Sequence, residues 1–210
     1  GFALSFAFGR SVLTGTATWT VERSLAGAPL RRDTKDRASD AVRSGDGGAA
    51  LPFELLPARP IYGTALKIGR PPGTAPLKVA IDYRTSPDSS ACQWLPKEQT
   101  AGKQYPYMFT QCQAIHARAL LPCQDACGVK FTYQATVTVP EWATALMSAL
   151  SRDAAKRGRD EPAATRTFAF EQPCNISAYL LALAVGQLQS RDAGPRSKVR
   201  PGASQGMASS

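Results

Sequence analysis

A single histidine, His116, stands in 210 residues. A metal site of the H-E-x-x-H type needs two, one helical turn apart, so that both reach the ion. No such motif lies in this sequence. Long apolar runs are also missing: none approaches the ~20 residues that a helix needs to span a bilayer. There is no G-x-S-x-G elbow, and no P-loop or dinucleotide fingerprint. Zinc-finger, helix-turn-helix and RRM-type aromatic patterns are absent, which argues against a nucleic-acid partner. Gly1-Phe2-Ala3-Leu4-Ser5-Phe6 has neither an initiator Met nor a basic lead, and reads as a chain entered partway rather than a secretory signal.

What is present is ordinary globular composition, 43% apolar and 20% charged. The net charge of +9 is large. However, its densest groups, Arg31-Arg32 with Lys35 and Arg37, and Arg152 with Lys156-Arg157 and Arg159, are interrupted by acids and read as solvated loops. The five cysteines are odd in number and widely spaced, as in a chain that keeps its thiols reduced in the cytoplasm. The sequon Asn175-Ile176-Ser177 matters only in a secreted chain.

Periodicity of two dominates. Leu4, Phe6 and Phe8, then Leu13 to Val21 alternating with Thr14, Thr16, Thr18 and Thr20, read as a hairpin. Leu77 to Tyr83 and Val129 to Val139 are further half-buried strands, and 64–68 is a short one. From Ala26 to Leu51 the pattern degrades and predicts irregular structure, with a weak strand at Ala41-Val42. Pro52, Pro57 and Pro60 exclude a central strand from 51–61. Trp142 to Leu150 carries both helical and extended patterns. Residues 151–166 read as a charged loop, Phe168 to Gln172 as the start of a strand, and Tyr179 to Gly186 as a segment buried on both faces. With amphipathic helices nearly absent, the fold class is all-β, built of packed antiparallel and mixed sheets.

The densest polar cluster in an apolar setting is 109–125. Tyr105, Tyr107 and Phe109 predict a strand, and if it continues, Gln111 and Gln113 share a face roughly 7 Å apart. Two neutral amides can hold a polar ligand or a peptide end, or they can satisfy neighbouring loops. Cys112, His116, Cys123 and Cys127 do not make a metal site on this reading. In an extended chain, Cys112 and His116 are roughly 13 Å apart, whereas zinc ligands sit at ~2.0–2.3 Å.

Thr110-Gln111-x-Gln113, Ala117-Arg118 and Pro122-Cys123-x-Asp125 resemble a signature near the end of the N-terminal domain of gluzincin aminopeptidases. The wording Gln-Cys-Gln-Ala-Ile-His and Leu-Pro-Cys-Gln-Asp is similar to their leukotriene A4 hydrolase-like branch, which combines aminopeptidase and epoxide hydrolase activities. Leu-Thr-Gly-Thr-Ala near the start and 92–103 match as well. One departure is Ala126-Cys127, where the family usually has Thr-Pro.

The resemblance implies a saddle-like β domain over residues 1–197; residues 198–210, rich in Pro, Gly and Ser with little to bury, read as a disordered tail outside the match. The resemblance implies that Gln111, Cys112 and Gln113 bind substrate, with the two glutamines contacting the amino end of a peptide. It also implies that Arg118 and Asp125 fix local structure, and that the full-length enzyme binds zinc. The zinc would be held in a catalytic domain that is the missing partner of this one. The alternative is a stand-alone, non-catalytic β-rich interaction module. An H-E-x-x-H encoded downstream of Ser197 separates the two.

Overall fold

The computed structural model describes residues 1–22, 29–35, 37–45, 48–69, 75–152, 156–158, 164–194 and 197–199. In chain order the strands are β1 (Phe2–Ala7), β2 (Val12–Val21), β3 (Leu30–Thr34), β4 (Arg37–Ser44), β5 (Phe53–Leu55), β6 (Thr64–Ile68), β7 (Leu77–Thr85), β8 (Cys92–Leu95) and β9 (Tyr107–Thr110). A one-turn helix α1 (Ala117–Leu120) follows. Then come β10 (Lys130–Pro140), β11 (Thr144–Met147), β12 (Leu150–Ser151), β13 (Lys156–Gly158), β14 (Thr165–Ser177), β15 (Leu183–Gly186), β16 (Arg191–Gly194) and β17 (Ser197–Val199). The protein is all-β. Among the described residues no helix is long and apolar enough to cross a membrane.

An eight-stranded sheet runs β12-β14-β10-β1-β2-β7-β4, with β13 on β14. It is mixed because β1 pairs with β10 in parallel, Phe2 opposite Ala135 and Leu4 opposite Val137. On the other side β1 and β2 form the expected antiparallel hairpin, Leu4 opposite Gly15. Two smaller sheets pack on this one: β11-β15-β9-β8, and β3-β6-β5.

Alternation explains the packing. Leu13, Ala17, Val79, Ile81 and Tyr83 point inward and are buried, while their Thr, Lys and Arg neighbours point outward. One core joins the eight-stranded sheet to the four-stranded one through Phe2, Leu4, Val137 and Phe170 against Met108, Leu183 and Val185. A second joins it to the three-stranded sheet through Val42, Val79 and Ile81 against Leu30, Leu66 and Ile68. Trp19 packs against both, with the Arg32 guanidinium 5.3 Å from its ring centre.

Several expectations are corrected. The span 26–51 is not irregular where it is described: β3 pairs with β6, and the short strand expected at Ala41-Val42 is part of a longer β4, which pairs with β7 around a register shift between Ser39 and Ala41. Residues 142–150 contain the strand β11 and no helix. β5 is an edge strand, as its flanking prolines require. The charged loop of 151–166 contributes β13 and the start of β14, and 153–155 and 159–163 lie outside the described residues. Lys198 and Val199, expected in a tail, belong to the β16–β17 hairpin, and 200–210 lie outside the described residues.

Candidate functional site

The four-stranded sheet positions the glutamines, although not as the periodicity suggested. Strand β9 stops at Thr110, because Thr110 Oγ1 takes a hydrogen bond from Leu183 N at 2.9 Å and the next residues turn. Gln111 N still donates to Ala91 O at 2.9 Å, so it leaves the sheet tethered. The chain then folds back, with His116 N donating to Cys112 O at 3.0 Å, and enters α1. The expectation of a strand face through Gln113 is therefore wrong. Both amides are exposed, but they sit on a turn beyond the strand end.

Gln111 Oε1 accepts the backbone N–H of Gln113 at 3.1 Å, so one acceptor of the pair is spent on shaping the turn. The Gln113 amide makes no hydrogen bond among the described residues. Cys112 lies between them in sequence but faces inward, 1% exposed. Burial pushes its thiol up to about 12, with Cys92 and Asp125 adding to the effect. It packs as a small apolar group and is no thiolate nucleophile at neutral pH. His116 Nδ1 lies 3.0 Å from Ser90 Oγ, a partner that fixes the ring as a structural histidine.

The turn is held by a buried ion pair. Arg118 Nε donates to Asp125 Oδ2 at 3.0 Å, Arg118 N donates to the same oxygen at 3.1 Å, and Arg118 Nη2 donates to Asp125 O at 2.9 Å. Arg118 Nη1 reaches the Tyr62 carbonyl at 2.9 Å. Asp33 Oδ2 accepts Asp125 N at 2.9 Å and lies 3.8 Å from Arg118 Nη2. Asp33 also donates its N–H to Cys123 O at 2.7 Å. Thus α1, β3 and the 59–63 turn are clamped by one guanidinium. Sequence reading found Arg118 and Asp125 and missed Asp33 and Tyr62, which lie 92 and 56 residues away in the chain.

Among the described residues no three His, Cys, Asp or Glu side chains come together as a metal-binding group. The extended geometry invoked for Cys112 and His116 does not hold either, since the chain turns between them.

A mixed eight-stranded sheet with smaller sheets packed on it is the architecture of an aminopeptidase N-terminal domain. The chain belongs to the Peptidase M1 N-terminal domain family, which it matches over residues 62–180. It is 42% identical over 189 residues to the leukotriene A-4 hydrolase of Xenopus laevis, a match covering 89% of this chain and 30% of that protein. It is 41% identical over 192 residues to leucine aminopeptidase 2 of Yarrowia lipolytica, covering 89% and 27%. The solved yeast leukotriene A4 hydrolase in complex with bestatin superposes with a TM-score of 0.84 at 31% identity, over 94% of this chain and 29% of that one. An M1 zinc metallopeptidase from Deinococcus radiodurans, 20% identical with a TM-score of 0.71, shares the fold. The chain spans about 30% of the length of the frog enzyme and of the yeast structure.

Proposed function

We propose that this chain is the substrate-side N-terminal domain, residues 1–197, of a leukotriene A4 hydrolase-like zinc aminopeptidase acting on peptides and an epoxide. In this reading Gln111 and Gln113 present amide groups to the amino end of a peptide. The supporting observation is the exposed glutamine turn, held at both ends, with the Gln113 amide uncommitted among the described residues. An amide oxygen accepts from an ammonium without adding charge, so it orients the amino end and takes no proton. Cys112 serves through its backbone, as the turn between the two. In this reading zinc, which would supply the hydrolytic chemistry, is held by residues of the full-length enzyme outside this domain; among the described residues no three His, Cys, Asp or Glu side chains come together. The five unpaired cysteines favour a reducing compartment, the cytoplasm.

The test is a hybrid enzyme in which this chain replaces the matching third of the frog leukotriene A-4 hydrolase. Gln113→Leu removes the amide at similar volume. Loss of a hydrogen bond to a charged group costs about 1.5–3 kcal/mol, so KM for an aminoacyl-naphthylamide should rise about ten- to a hundredfold, with a smaller change in kcat. Unchanged kinetics would remove the glutamine from the substrate site.

A further inference from the structure

The turn Arg59–Gly63 carries a combination that its own domain does not use. Arg59 and Gly63 exchange backbone hydrogen bonds at 2.7 and 2.9 Å, closing a tight reversal. Ile61 within it has φ 71°, in the left-handed region, where a β-branched residue is a conformational outlier. Turns of this kind ordinarily place Gly, Asn or Asp there. Here Ile61 is 76% exposed and the next residue, Tyr62, 60% exposed. The molecule therefore holds an unfavourable backbone in order to present two large apolar side chains to solvent, which points to a docking element.

The turn is also held in place. The Tyr62 carbonyl is bound by Arg118 Nη1 at 2.9 Å, and Arg118, five residues beyond Gln113, is clamped to Asp125. The tip and the glutamine turn are thus anchored to one buried guanidinium. Leu180, another exposed large apolar residue, precedes β15, whose N-terminal end pairs with the C-terminal end of β9. It emerges at the same end of that sheet as Gln111.

We propose that the Ile61–Tyr62 tip docks in an apolar socket on the part of an M1 polypeptide that lies outside this domain. The clamp at Arg118 then sets the glutamine pair relative to that part. The proposal rests on the M1 reading above. Length supplies the occupant: the frog relative carries about 70% of its chain outside the region matched here. The tip and the glutamine turn are anchored through the same guanidinium, so a body that meets one lies beside the other. A tyrosine in such a seat buries its ring and keeps its hydroxyl for a polar rim.

Ile61→Gly separates docking from folding. Glycine accepts φ 71° without strain, so the isolated 210-residue chain should be as stable as the parent or more so. In the hybrid enzyme the same change, combined with Tyr62→Ser, should weaken docking. The readout is deuterium uptake of the Arg59–Gly63 amides, together with the number of thermal transitions. In the hybrid, uptake at the tip should be slowed about tenfold relative to the isolated chain. The double variant should regain the fast rate and split one transition into two. Leu150→Asp, on β12, changes an equally exposed apolar residue at the far edge of the large sheet and should do neither. Equal tip exchange in the hybrid and the isolated chain would overturn the proposal. A dimer of the isolated chain that Ile61→Gly dissociates would overturn it too, because the occupant would then be a second copy. Unchanged KM in Gln113→Leu with tip protection intact would fell the substrate reading alone.

Discussion

Arg118 and Asp125 are joined by three hydrogen bonds while their side chains are only 7% and 3% exposed. A buried pair of this kind adds little net stability against an apolar substitute, but removing one partner strands a charge. Asp125→Ala should therefore lower the unfolding free energy by about 3–5 kcal/mol, measured by urea denaturation. Replacing both residues by apolar ones should cost less than that single change. A single variant with a loss within the noise would mean that water enters the clamp.

The thiols divide by position. Cys127 and Cys174 are exposed, whereas Cys92, Cys112 and Cys123 are buried. Ellman titration of the native chain should show two fast thiols, and five only in denaturant, since access and thiolate fraction both govern the rate. Rapid native reaction of a third thiol would place one of the core cysteines at the surface.

Two of those thiols also give a pH dependence. Burial pushes Cys112 up to about 12 and Cys92 up to about 11, from an ordinary value of 9.0. Above pH 9 the unfolded chain releases these protons while the folded chain keeps them. Their contribution is complete below pH 9 and is lost as pH rises towards 11 and 12. Arg32 works in the opposite direction. Burial lowers it from 12.5 to about 10, so the unfolded chain holds that proton longer and stability from this group rises above pH 10. Tyr107 and Tyr133, which burial raises above the ordinary 10.0, act in the same direction as the thiols but from a higher starting value, so between pH 9 and 10 the thiols lead and the urea midpoint should fall. Cys112→Ala should flatten that fall; an unchanged slope would assign it to other groups.

Most of the fold was legible where one face is buried and the other wet. The Thr-alternating β2 and β10, and β7 with Lys78, Asp82 and Arg84 between its buried residues, were readable because inward residues are aliphatic or aromatic and most outward ones polar. β3 was not, because its buried positions are Leu30, Arg32 and Thr34, and a buried arginine stacked on Trp19 erases the period. β4 was legible only at Ala41-Val42, because it is an edge strand with one buried aliphatic residue, Val42, and its register shift breaks alternation. In the glutamine turn, residue types were legible but backbone was not. Nothing local in Thr110-Gln111-Cys112-Gln113 announces the strand end, which depends on Leu183, 73 residues away. The docking tip was invisible for the same reason: Ile61 and Tyr62 look like core until their exposure is seen.

Gly15 offers the sharpest contest between local propensity and packing. It lies in the middle of β2, paired with Leu4 on one side and Tyr83 on the other. Propensity favours alanine, since glycine in a strand interior costs roughly 0.5–1 kcal/mol of conformational entropy. Geometry opposes it. A Cβ at Gly15 would stand 2.6 Å from the Ala3 carbonyl oxygen and 2.9 Å from Leu4 Cδ2. The carbonyl belongs to the β1 backbone and cannot rotate away, so the two strands would have to part at the centre of the eight-stranded sheet. Overpacking of this kind costs about 1–3 kcal/mol, more than propensity returns. Gly15→Ala should therefore destabilise the chain in urea. Gly128→Ala, where an added Cβ meets nothing within 4 Å, should be neutral or slightly stabilising. If Gly15→Ala matched or exceeded the parent, the close approach of β1 and β2 would not be what holds glycine in the Leu13-Thr14-Gly15-Thr16-Ala17 run.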